Sequence, residues 1–197
     1  MESIGSIPIM ATMQYFASDA HFLHRNVIKY DNRPFDNVEQ MTEQLILNWN
    51  SVVSNDDEVY YLGDFGLGSE DKLFNILQRL NGRIYYIFGN HDKVVKKSKR
   101  MLGRFIWAKE LAEITIPDTD TPRGQKIVLC HYAMRVWNKS HHGAWHLYGH
   151  SHGSLPEDPN SLSFDVGMNC INYTPISYDQ VKERMKNKDW KPIDHHS

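Results

Sequence analysis

The chain holds little cysteine, no long apolar run and no excess of charge of either sign. Two cysteines, Cys130 and Cys170, stand among 197 residues, and no C-x-x-C occurs. That excludes a disulfide framework and a cysteine-rich zinc finger; two reduced thiols in a cytoplasmic protein are expected. No apolar stretch approaches the roughly 20 residues of a membrane span. The opening MESIGSIPIMAT lacks the basic start and long apolar stretch of a signal peptide. Residues 1–12 therefore read as a flexible leader. Twenty-two Lys and Arg face 24 Asp and Glu, for a formal net charge of −2. A broad basic surface for wrapping duplex nucleic acid is excluded. What the chain does have is histidine, 11 in all.

An apolar share of 41% with 23% charged residues is ordinary for a folded domain. No repeat divides the chain, so a single domain over residues 13–190 is expected, with 191–197 as a tail. Gln14–Ser18 reads as a short strand, and a polar loop follows to about Asn37. Val38, Met41, Leu45, Trp49 and Val52 recur at three- and four-residue steps, which is an amphipathic helix to about Ser54. Glu58–Leu62 is strand-like. Ser69-Glu70-Asp71 starts a second helix, with acids at the positive end of its dipole. Arg83–Phe88 is a strand, and the basic Lys93–Arg104 region is helical in part. Further strands are expected near Phe105–Trp107, Leu111–Ile116, Lys126–Cys130, Trp145–Tyr148 and Ser163–Val166. Tyr178–Asn187 closes the chain as a helix capped by Ser177. The fold class is α/β with α+β character: mixed sheets with helices outside.

Polar clusters follow the ends of the predicted strands, the edge where open α/β sheets bind ligands. Asp19-x-His21 sets a carboxylate and an imidazole on one side of an extended backbone, able to chelate one cation. Gly63-Asp64 is a turn with an acid. Gly89-Asn90-His91-Asp92 packs an amide, an imidazole and a carboxylate behind a buried strand. His131 follows the apolar strand Ile127–Cys130. Gly149-His150-Ser151-His152-Gly153 offers two imidazoles at alternate positions, between glycines that permit close backbone approach.

The joint order D-x-H, G-D, G-N-H-D, H, G-H-x-H resembles the calcineurin-like metallophosphoesterase superfamily over roughly Met13 to Ser177. The stretches Asp19–Ile28 and Asp165–Ser177 are similar to small bacterial and phage members. The resemblance implies a four-layer αββα sandwich with its metal site at the C-terminal strand ends. One divalent cation would take Asp19, His21, Asp64 and His152. A second would take Asp64, Asn90, His131 and His150. A nitrogen and oxygen donor set of this kind suits Mn²⁺, Fe, Ni²⁺ or Zn²⁺ better than Ca²⁺ or Mg²⁺. Hydrolysis of a phosphodiester or nucleotide-type ester by a hydroxide shared between the two metals would follow. His91 would serve as acid or transition-state stabiliser, with Asp92 either orienting its ring or only bracing the turn. Gly63-Asp64-Phe65-Gly66 lacks the acid and arginine familiar from protein phosphatases, which argues against a phosphoprotein substrate.

On the substrate side, His24, Arg25 and Asn26 are candidates for a phosphate, or for plain loop solvation. Arg135 lies between the fourth and fifth motifs with Trp137, Lys139, His141 and His142. Two other readings are kept: a nuclease acting on DNA or RNA, and a metal-free binding scaffold of the same fold.

Overall fold

The apolar residues of three consecutive strands alternate between two separate cores. In the computed structural model, which describes residues 12–193, β1 (Gln14–Ala17), β2 (Glu58–Tyr61) and β3 (Arg83–Ile87) pair in parallel. Tyr15, Val59, Tyr61, Ile84 and Tyr86 face one core, while Phe16, Tyr60, Leu62, Tyr85 and Ile87 face the other. Burial on both faces is why these strands read as near-continuous apolar runs. β4 (Trp107–Lys109) joins β3 in parallel. The two-residue β9 (Ile176–Ser177) adds an antiparallel edge beside β1.

Helices cover the first core. α2 (Val38–Val52) is capped by Asn37, whose side chain accepts the Gln40 N–H, and it buries Val38, Met41, Leu45 and Trp49. α3 (Glu70–Arg79) buries Leu73, Ile76 and Leu77. Its Ser69 sits at the cap position but makes no capping hydrogen bond. Glu70 instead accepts from Ser98 Oγ and Arg100, joining α3 to the basic region. That region forms two short helices, α4 (Lys93–Lys97) and α5 (Lys99–Leu102). Lys96 pairs with Glu110, and Arg100 with Glu70 and Asp71, so two of the six cations in this run are neutralised locally. The loop expected over 22–37 contains one further turn of helix, α1 (Val27–Tyr30).

A second sheet faces the other core. β5 (Leu111–Asp118) runs antiparallel to β6 (Thr121–Cys130), and β7 (Trp145–Tyr148) and β8 (Ser163–Asp165) continue in parallel. Ile127, Leu129, Leu147 and Phe164 meet Phe16, Leu62 and Ile87 across the interface. α6 (Tyr178–Lys186) closes this core with Tyr178, Val181 and Met185, and the Tyr178 ring stacks on Trp145 at 5.6 Å. Ser177 and Gln180 cap α6 reciprocally. The reverse face of this sheet is covered by the 132–144 segment. There Trp137 lies 5.3 Å from the His146 ring, and Met134 N–H donates to His146 Nε2.

Two mixed sheets with helices packed on them make an α/β sandwich. They join at a parallel bridge between Ser18, just past β1, and Gly167, just past β8. The C-terminal ends of β1, β2, β3, β6 and β7 thereby meet at one rim. The expected leader falls outside the described residues apart from Thr12, as do His195 and His196 of the tail.

Candidate metal centre

The loops after β1 and β2 run side by side. Asp19 N–H donates to Gly63 O at 3.0 Å, His21 N–H to Asp64 O at 3.1 Å and Phe22 N–H to Phe65 O at 2.8 Å. Asp19, His21, Asp64, His150 and His152 all have positive φ, between 48° and 68°. Left-handed backbone at a non-glycine residue costs roughly 1–3 kcal/mol and gathers at functional sites. The extended D-x-H geometry expected from the sequence is therefore not what unites Asp19 and His21. β1 has already ended at Ala17, and two left-handed residues turn both side chains inward.

Two groups of donors converge. Asp19, His21 and His152 form one, and Asp64, His131 and His150 the other, the donor atoms within each lying inside 4.8 Å. His150 and His152, two residues apart, enter different groups. Asp64 lies between the groups: its Oδ2 is 3.7 Å from His21 Nε2 and 3.6 Å from His131 Nε2. Asn90 Oδ1 sits 3.0 Å from both His131 Nε2 and His150 Nδ1. All seven ligand candidates are thus brought to one place.

Each carboxylate has one oxygen pinned and one turned inward. Asp64 Oδ1 accepts the His91 N–H at 2.8 Å, and Asp19 Oδ2 accepts the His150 N–H at 2.9 Å. Asp19 Oδ1 is buried without a hydrogen-bond partner among the described residues, 3.4 Å from His152 Nε2 and 3.8 Å from His21 Nε2. A buried carboxylate oxygen facing imidazole nitrogens fits a cation between them. Close packing demands glycine here: a Cβ at Gly149 would stand 2.0 Å from Ser18 Oγ and 2.3 Å from Asp19 Oδ2.

The electrostatics agree. Asp19, Asp64, Asp92 and Asp165 are all buried at this rim, against one buried cation among the described residues, Arg33. Burial would raise the Asp19 carboxyl, but the His152, His131 and His21 imidazoles outweigh it and hold it below the usual range. Burial pushes Asp64 up, against the His91 N–H and His131. Burial drives His21 down to about 3, which keeps it neutral, as a ligand must be. Burial opposes the charged form of His152 too, yet Asp19 and Asp31 lift it to about 9. His131 Nδ1 lies 2.7 Å from Leu62 O, which leaves Nε2 facing the site.

Asp92 takes the bracing role. Its Oδ2 accepts from Gly89 N–H at 2.7 Å and Asp64 N–H at 3.0 Å, and its Oδ1 from Phe65 N–H at 3.0 Å. The carboxylate is committed to the backbone, not to the His91 ring, and it ties the loops after β2 and β3 together. His91 is exposed, with its ring 5.7 Å from His21. His24 lies 5.4 Å from His21 on the same side, and burial followed by the neighbouring His91 lowers its pKa. Arg25 and Asn26 are exposed next to it. Arg135 is not brought to the donor groups; it lines a separate cavity with Tyr148, Leu155 and Asp158.

Three residues went unread in the sequence. Asp31 Oδ2 is 2.6 Å from His152 Nδ1, and the buried Arg33 grips Asp31. Asp165, at the end of β8, accepts from Gly153 N–H at 3.0 Å and Gly167 N–H at 2.7 Å. Their one sequence signal is position: Asp165 is the penultimate residue of the strand expected at Ser163–Val166, and Asp31-Asn32-Arg33 precedes Pro34, a turn signature.

No protein-family model matches the chain. The solved structure of a protein of unknown function from Aquifex aeolicus, AQ665, superposes with a TM-score of 0.64 at 22% identity, over 88% of this chain and all of that one. At that identity it speaks to the fold. The Gene 66 protein of Mycobacterium phage L5 is 28% identical over 162 residues, 72% of this chain and 78% of that protein. The uncharacterized protein MJ1445 of Methanocaldococcus jannaschii is 36% identical over 174 residues, 85% of this chain and 88% of its own. The chain belongs to the family of that M. jannaschii protein.

Proposed function

We propose that this chain is a binuclear metal-dependent phosphoesterase acting on a phosphodiester or nucleotide-type phosphate ester. The observation that carries the reading is the position of Asp64 Oδ2, between His21 and His131 at 3.7 and 3.6 Å. One carboxylate oxygen facing two imidazole groups is what a pair of cations with a shared ligand requires. The orphaned Asp19 Oδ1 supports the same reading.

Asp19, His21, Asp64 and His152 would hold one cation, and Asp64, Asn90, His131 and His150 the other. Mn²⁺, Fe, Ni²⁺ and Zn²⁺ suit these donors. When bound, a divalent pair supplies a strong nucleophile near neutral pH and withdraws charge from phosphoryl oxygens. The chain's own residues do the rest. The pinned oxygens of Asp19 and Asp64 keep the inward oxygens aimed. His91, exposed at the mouth beside His21, donates a proton to the leaving oxygen or a hydrogen bond to the developing charge. His24 faces the same mouth and binds phosphate oxygens. The layered helix–sheet–sheet–helix arrangement with its site at the strand ends belongs to this proposal. So does a cytoplasmic location, which the free thiols of Cys130 and Cys170 fit. No helix among the described residues is long and apolar enough to cross a membrane.

The test is metal analysis of the purified chain, followed by assay with a chromogenic phosphodiester and phosphomonoester in added Mn²⁺. Two cations per chain with hydrolysis supports the proposal. No bound metal and no hydrolysis sinks it.

A further inference from the structure

We propose that Asp31, held in place by Arg33, is a positioning residue for the His152 half of the site and sets how tightly that half holds its cation. The inference rests on the two-cation reading above.

His152 presents Nδ1 to Asp31 Oδ2 at 2.6 Å, while its Nε2 faces Asp19 Oδ1 at 3.4 Å and His21 Nε2 at 3.1 Å. A carboxylate at Nδ1 puts the ring proton there and leaves the Nε2 lone pair facing the donor group. Asp31 therefore decides both the tautomer and the ring angle of a ligand candidate.

Asp31 is itself fixed. The Arg33 side chain is 0% exposed. Its Nε and Nη2 each reach Asp31 Oδ2 at 3.3 Å, Nη1 donates to Ala20 O at 2.8 Å and Nη2 to Asp19 O at 2.9 Å. One guanidinium thus grips Asp31 and the backbone of the Asp19 loop together. Asn32 has a φ of 48°, and this left-handed turn brings Asp31 and Arg33 to the same side. A buried guanidinium is costly unless it is paired and fully hydrogen-bonded. This one is satisfied by groups of the site, so its burial is repaid only while the site is assembled. Lysine cannot reproduce the planar fork that reaches three acceptors.

Among the described residues, no such carboxylate stands behind the histidines of the other donor group. His131 Nδ1 faces the backbone carbonyl of Leu62. The two halves therefore differ in the charge behind their histidines, and removing Asp31 should affect one half alone.

The experiment is calorimetric titration of the metal-free full chain with MnCl₂, repeated with Co²⁺ followed by its visible spectrum. The wild-type chain should bind two cations. Asp31→Ala should keep one affinity unchanged and weaken the other about 10- to 100-fold, with a changed Co²⁺ band for that position only. Asp31→Asn, which retains an acceptor oxygen, should weaken the same position less, and Arg33→Lys should weaken it too. A merely structural role would lower Tm and weaken both positions together, and that outcome overturns the proposal, as do two unchanged affinities. If Asp31→Ala fails to fold, Asp31→Asn carries the test by the same criteria. A wild-type chain that binds no cation overturns the two-cation reading itself, a result distinct from two-cation binding that is indifferent to Asp31.

Discussion

His150 donates its backbone N–H to Asp19 Oδ2 at 2.9 Å, a bond that spans 131 residues of sequence. The loop after β7 thereby sets the carboxylate of the loop after β1. The same device recurs where His91 N–H meets Asp64 Oδ1 at 2.8 Å. In both cases the backbone of one histidine motif holds an aspartate's outer oxygen and leaves the inner one for the site. Both bonds come from main chain, so side-chain substitution of His91 or His150 leaves them standing.

That separation makes His91→Ala informative. Cation stoichiometry should stay at the wild-type value, because the N–H to Asp64 survives. Turnover should fall by roughly 10²- to 10⁴-fold, the usual worth of a general acid. Steady-state kinetics with calorimetry on the same sample checks both. Loss of a cation would make His91 a ligand instead.

Asp64→Asn should act on both positions at once. Its Oδ1 still accepts from His91, so the fold should hold, with Tm near that of the wild type. The inward position becomes an amide NH2, which offers no lone pair to a cation, so both affinities should drop by about tenfold or more, and kcat/KM at least as far. A variant that still binds two cations at full affinity would remove Asp64 from the centre.

Asp92→Ala should be a stability mutation. It leaves the N–H groups of Asp64, Phe65 and Gly89 without their acceptor in a buried setting. At about 1–3 kcal/mol for each unsatisfied group, a loss of at least about 3 kcal/mol is expected. Urea denaturation measures it. A variant with unchanged stability but lost turnover would restore the ring-orienting role.

The acid limit of the fold should be set partly far from the site. Asp118 is held at about 2 by hydrogen bonds from Lys182 and then Tyr178, which tie α6 to the β5–β6 turn. Its folded pKa lies below the reference 3.8, so its contribution is present above that value and disappears as pH falls toward about 2. Tm of the wild type should decline across that window more steeply than Tm of Asp118→Asn, and the two should converge at the acid end. Parallel curves from pH 5 to pH 2 would contradict the assignment.

Much of the fold was legible. α2 was readable from Val38, Met41, Leu45 and Trp49 because one buried stripe imposes its period on the sequence. β2 and β3 were readable because both faces are buried, which leaves no polar interruption. β9 and α1 were not: two residues at a sheet edge and one turn of helix bury too little to leave a pattern. The outer ends of β5 and β6 lengthen into a mostly exposed hairpin, where polarity hid the strands.

The sequence by itself marked the aspartates, asparagine and histidines that converge at the candidate site. Glycines, aspartates and histidines at strand ends are written as short local motifs, and short motifs survive without knowledge of the fold. How those residues face one another was decided only in three dimensions. The left-handed backbone at Asp19, His21, Asp64, His150 and His152, the commitment of Asp92 to three amides, and the Asp31–Arg33 brace behind His152 all depend on loops far apart in the chain. Such contacts leave no local period, because the partner of each group is chosen by where the sheets bring the strand ends together.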